Sequence, residues 1–178
     1  MKASPFIWLL RGLYLLLGLL AIAYPLLPLQ FIPARWPAPA LLYALTMAWL
    51  VRRPEGAPFL LIAGLALLAD AVLMRPMGLW ALLLLAASET VRFSYKSIQE
   101  RGLMMEFSMV LGLLMAMMIL QNFVLWASFS QVLDLVSMGQ IVMLTLLTYP
   151  FIIAFLHYIL RVRKPDTSNR PDRLGKIR

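Results

Sequence analysis

Ala63-Gly64-Leu65-Ala66-Leu67-Leu68-Ala69-Asp70-Ala71-Val72-Leu73-Met74-Arg75-Pro76-Met77-Gly78 is the stretch that decides the fold. It reads as an apolar helix carrying one carboxylate, stopped at Arg75-Pro76 because proline has no N–H to continue the ladder and biases the residue before it away from helical geometry. Ala63, Ala66 and Asp70 share one face at helical spacing, so small side chains lead up to the acid and a neighbouring helix can come close. Asp70 is therefore expected to face protein. A carboxylate at the centre of a bilayer costs about 2.5–3.5 kcal/mol, and less towards the interface, so something must offset the remainder. Two partners are within reach. Arg75 follows the helix break and can fold its long side chain back. The backbone amides of the turn at Met77-Gly78 open the next helix, whose N-terminus attracts an anion. Either would tie the end of this segment to the start of the following one; the bland alternative is a partly hydrated acid at shallow depth.

Outward from that stretch the chain is uniformly apolar. Of 178 residues 62% are hydrophobic and only 13% charged, far from the balance of a soluble globular domain. Six apolar segments stand out, at 5–25, 38–51, 58–74, 78–95, 103–127 and 138–162. They predict an all-α, polytopic bundle of six transmembrane helices over residues 1–162, followed by a basic cytoplasmic tail at 163–178 lying on anionic membrane lipids. The second segment is the short one and needs help from its flanks or a thinned bilayer. The net charge of +8 does not point to nucleic acid, because the basic residues sit in short runs beside apolar segments. With both termini in the cytoplasm of a cell inner membrane, fourteen basic residues fall inside and only Arg35 and Arg75 outside, a strong positive-inside bias. The five tryptophans near segment ends fit the same topology, with Trp8 and Trp49 at the inner interface and Trp36, Trp80 and Trp126 at the outer one. The run after Lys2 is read as a retained first span and not as a cleaved signal, because it is long and contains Arg11.

The polar residues inside this frame are few. Glu89 and Arg92 are three apart and can pair on one helix face. Glu106 is read in the first turn of the fifth segment, where the helix dipole favours an acid. Ser108, Gly112 and Ala116 make a small-xxx-small stripe suited to close helix packing, within the chain or with a partner. Gln121 and Asn122 read as amide glue between helices, with a substrate role the minority reading. Tyr149-Pro150 should kink the sixth segment, and His157 near its end reads as structure or interface more readily than as a proton relay. The loop from Pro25 to Pro39 holds five prolines beside several large apolar residues and should lie on the membrane surface or meet a partner.

No enzyme signature is present: no Gly-x-Ser-x-Gly turn, no zinc-binding His-Glu-x-x-His helix, no Gly-rich phosphate loop. The chain has no cysteine and a single histidine, so no metal site, catalytic residue or cofactor is expected.

The order Arg52-Arg53-Pro54-Glu55, Leu68-Ala69-Asp70-Ala71-Val72-Leu73, Arg75-Pro76-Met77-Gly78-Leu79-Trp80-Ala81-Leu82, then Glu89 and Arg92, resembles the MreD family of rod shape-determining membrane proteins in its alphaproteobacterial form. The resemblance implies a non-enzymatic scaffold subunit of the cell-elongation machinery, or elongasome, that supports peptidoglycan synthesis. Its implied partners are an MreC-like membrane protein, RodA and the penicillin-binding peptidoglycan synthases, with MreB reached indirectly. It also implies a fold similar to the substrate-binding subunits of energy-coupling-factor transporters, and the alternative of a small-molecule or lipid-binding transporter subunit. It supplies no catalytic residue.

Overall fold

The computed structural model describes residues 5–26, 38–129 and 132–158, and every regular element among them is helical. Helix α1 runs Pro5–Ala23 and passes into a 3₁₀ turn at Tyr24–Leu26. Helix α2 runs Leu41–Arg52 and is closed by the 3₁₀ turn Pro54–Gly56, where proline ends one helix and starts the reversal. Helix α3, Phe59–Val72, follows the extended Pro58, and α4, Leu79–Phe93, opens on Gly78. Gly78 has φ 86°, a left-handed conformation that glycine adopts without a Cβ penalty, and it lets the chain reverse between the two helices. Helices α5, Tyr95–Ala127, and α6, Leu135–Tyr158, complete the bundle.

Helix α5 is longer than its apolar run. The polar stretch at residues 95–102 is the beginning of the helix itself, separated from α4 by Ser94 alone. Its 33 residues span about 50 Å, longer than a hydrocarbon core of about 30 Å. Glu106 consequently sits about three turns into the helix, not in its first turn, and the dipole reading of that residue is corrected. Three stretches, Ile7–Leu26, Leu103–Ala127 and Leu135–Tyr158, are long and apolar enough to cross a membrane, as expected of a membrane protein, while α2 and α3 are shorter apolar helices.

The short helix is the hub. Helix α2 packs against α1, α4, α5 and α6, and every residue from Leu42 to Arg52 is buried. Twelve residues cover about 18 Å, too little to match a lipid core, but a helix surrounded by protein has no lipid to match. Its shortness is met by enclosure in the bundle. Helix α3 completes the packing through α4 and α1. Gly18 of α1 faces α3 closely enough that a Cβ would lie 2.5 Å from the Leu65 side chain.

Burial sorts the tryptophans and places the small-residue stripe. Trp8 and Trp126 are exposed at 65% and 68%, as interface anchors are, but Trp49 and Trp80 are core residues. The Trp49 ring is edge-on to Tyr14 at 5.5 Å, and its Nε1 would lie 2.6 Å from a Cβ at Gly56, so the glycine of the turn makes room for the indole. Ser108, Gly112 and Ala116 form no close contact among the described residues: all three are exposed, and no described atom lies within 4 Å of a Cβ built on Gly112. Gly112→Leu is therefore expected to leave thermal unfolding of the isolated protein unchanged. A drop of several degrees in detergent would show that the stripe packs within the fold. Most of the Pro25–Pro39 loop, including Trp36, and the tail at 163–178 lie outside the described residues.

Candidate functional site

Polar side chains tie α2 to its neighbours along its length. The Tyr14 hydroxyl on α1 hydrogen-bonds Thr46 Oγ1 at 2.9 Å, and Tyr43 donates to the Val110 carbonyl on α5 at 2.6 Å. At the start of the helix, the Ala40 N–H donates to Thr145 Oγ1 on α6 at 2.9 Å. At its end stands the strongest tie. Arg52 Nη1 lies 3.0 Å from Glu106 Oε1 on α5, and the Tyr149 hydroxyl of α6 donates to the same oxygen at 2.8 Å. Arg52 also donates to its own Ala48 carbonyl at 2.8 Å. All three side chains are buried, so charge, counter-charge and phenol form one network across three helices in a region of low dielectric. Arg52 is one of the basic residues that the sequence assigns to the cytoplasmic side, and the structure buries it. The hydrophobic pattern carried no signal for its burial, because Arg52-Arg53-Pro54-Glu55 looks like any charged reversal; the only hint was an acid inside the fifth apolar run.

Asp70 is fully buried on α3 and faces protein. Its Oδ2 accepts hydrogen bonds from the Gly78 N–H at 3.0 Å and the Ala81 N–H at 3.2 Å, the amides at the start of α4. Gly78 has no side chain with which to cap its own helix, so the acid eight residues earlier serves as the cap. Of the two partners weighed from sequence, this is the turn amide; Arg75 is used differently, its guanidinium lying 5.1 Å over the Trp80 ring. Pro76 sits in the exposed turn between the two helices. Asp70→Leu leaves two helix-end donors without their acceptor and is expected to cost about 1–3 kcal/mol, while Asp70→Asn keeps part of the cap. Thermal unfolding of the two variants in detergent measures the difference, and a Leu variant as stable as wild type would mean that the cap contributes nothing.

The other sequence-picked residues are spread out. Glu89 and Arg92 pair along α4 at 3.1 Å, and Arg92 also donates to the Ala57 carbonyl, fixing the turn before α3. Asn122 clamps the approach to α6: its Nδ2 donates to the Leu133 carbonyl at 2.9 Å and its Oδ1 accepts from the Leu133 N–H at 3.1 Å. Asp134 caps α6 through the Ser137 N–H, and hydrogen bonds from Ser137 hold this exposed carboxyl below the usual range. His157 is exposed and edge-on to Tyr158 at 5.1 Å. Asp70, Glu89 and Glu106 are thus each taken up by a separate local contact and do not converge.

What does converge is a cavity of about 350 Å³ at the end of the bundle that carries Arg75. Ile22 of α1, Tyr43 of α2, Ala69 of α3, Trp80 of α4, Gln121 of α5 and Ile141 of α6 all reach it. The helices therefore alternate in direction, with the ends of odd-numbered helices and the starts of even-numbered ones meeting there. Among the described residues no group of three or more His, Cys, Asp or Glu could hold a metal ion. No family model matches the chain, and neither does any curated protein or solved structure.

Proposed function

We propose that this chain is a non-enzymatic scaffold subunit of a rod-shape machinery of the MreD kind, crossing the cell inner membrane six times with both termini cytoplasmic. In this reading it binds an MreC-like membrane protein and, through it, supports RodA, the penicillin-binding peptidoglycan synthases and, indirectly, MreB. The observation that supports it is how the buried charge is used. Glu106 takes Arg52 and Tyr149, and Asp70 caps a neighbouring helix, so both buried acids are bound up in holding helices together. An enzyme needs an acid and a base brought within hydrogen-bond reach of one reacting atom, and these lie on separate ties. A bundle with its charge inside and broad apolar faces on α5 and α6 is suited to lateral contact with other membrane helices.

Co-purification from native membranes is the direct test: an MreC-like protein should be retained with the chain in mild detergent, and depletion should round or swell a rod-shaped cell. Accumulation of an unprocessed substrate upstream of one particular reaction would point to an enzyme or a transporter instead. The exposed Ser108, Gly112 and Ala116 stripe offers a partner helix a close approach, so Gly112→Leu is expected to lower partner yield while leaving the isolated protein intact.

A further inference from the structure

The hairpin made by α3 and α4 is short for a bilayer. Helix α3 has 14 residues, about 21 Å of rise against a hydrocarbon core of about 30 Å, whereas the 24 residues of α6 cover about 36 Å. On α4, Gly78 and Glu89 are eleven positions apart, about 17 Å, and both border one shallow groove between the two helices, whose walls include Phe59, Leu67, Leu82 and Leu85. Exposed and half-exposed charge gathers at one end of the pair, where Arg53, Glu55 and the Glu89–Arg92 pair lie; Arg75 alone stands at the other. The end with more charge is the one held at the head groups, so the turn at Leu73–Gly78 falls short of the opposite ones. The chemistry of the turn fits that depth. Met74 and Met77 are 95% and 78% exposed, so packing against the described residues does not account for apolar side chains there. Lipid supplies no hydrogen bonds, and non-helical backbone at membrane depth needs acceptors from the protein. Here the Leu73, Arg75 and Leu79 N–H groups donate to the Ala69, Asp70 and Pro76 carbonyls, Gly78 and Ala81 donate to Asp70 Oδ2, and Pro76 has no N–H. The exposed Arg75, laid over Trp80, has a stem long enough to carry its charge towards the head groups.

We propose that the turn between α3 and α4 lies inside the lipid, beneath the head groups of the far leaflet, with Met74 and Met77 against acyl chains. The hairpin goes in and returns, so it leaves both termini on the same side of the membrane. Asp70 then does for the turn what water does for an ordinary loop, which is why a carboxylate is fully buried so close to the end of a helix. The proposal rests on the membrane reading of the chain and on no partner, so failure to retain an MreC-like protein would leave it untouched.

The chain has no cysteine, so single nitroxide labels on the full-length protein in dioleoylphosphatidylcholine bilayers test this directly. Met74→Cys and Met77→Cys report the turn, Leu147→Cys on the exposed middle of α6 reports lipid, and Ser128→Cys, after the end of α5, reports water. Oxygen concentrates in lipid and a nickel chelate in water. The ratio of oxygen to nickel accessibility at Met74 and Met77 should match that at Leu147 and exceed that at Ser128 several-fold. In thinner dimyristoleoylphosphatidylcholine bilayers it should fall at Met74 and Met77 and stay high at Leu147, because the head groups come down to the turn. Nickel access at Met74 and Met77 equal to that at Ser128 in the thicker bilayer overturns the proposal and leaves the membrane reading standing. Nickel access at Leu147 as well overturns both. Exclusion of both reagents from the turn would place a second copy of the chain over it and overturns the proposal too. Either methionine position alone decides the result if the other variant fails to fold.

Discussion

Glu106→Leu is expected to be the most damaging single substitution in this protein, and adding Arg52→Met to the same chain is expected to recover much of the loss. The single change strips the buried Arg52 guanidinium of its carboxylate, leaving it the Ala48 carbonyl as its described contact, and strips the Tyr149 hydroxyl of its acceptor. Breaking a buried pair from one side costs about 3–5 kcal/mol, because an uncompensated charge remains out of water. In a chain of this size that is a fall in the unfolding midpoint on the order of 10 °C. The double variant removes both charges and replaces them with apolar volume, a change that is often neutral or stabilising. Tyr149→Phe takes away one donor only and should cost about 0.5–1.5 kcal/mol. Thermal unfolding in detergent of the two single variants and the double closes the cycle. A Glu106→Leu variant that unfolds with wild type, or a double variant as weak as the worse single, would mean that the three helices are not held by this network.

Trp49→Ala should come second, at about 3–5 kcal/mol, the range for emptying a large aromatic site in a core. The indole is wholly buried on the hub helix, edge-on to Tyr14 and against the Gly56 turn, with no room around it to collapse cheaply. The experiment separates two meanings of a tryptophan near a segment end. An interface anchor changed to alanine should cost little in detergent, as expected of the exposed Trp8, so similar midpoints for Trp8→Ala and Trp49→Ala would put Trp49 back at the interface. Gly56→Ala provides a check from the other side, since its Cβ would meet the rigid indole at 2.6 Å and must displace it.

By itself the sequence determined the elements and their ends. Apolar runs, prolines at 54, 58 and 76 and glycines at 56 and 78 produce helices and reversals through local chemistry, and among the described residues the structure follows them within a few residues except where α5 extends back to Tyr95. Asp70 was legible for the same reason: an acid followed by a helix stop and a new helix start has its acceptor and its donors only eight to eleven residues apart. Only the tertiary structure decided which helix is surrounded. Hydrophobicity in a membrane chain does not distinguish a face towards lipid from a face towards protein, so the shortest apolar helix could not be recognised as the hub, nor Trp49 and Trp80 as core. Arg52, Glu106 and Tyr149 are 54 and 43 residues apart in the chain, and no periodicity records that their helices meet. The small-residue stripe on α5 is the converse case: spacing makes a surface able to pack closely, and the arrangement of the other described helices leaves it exposed.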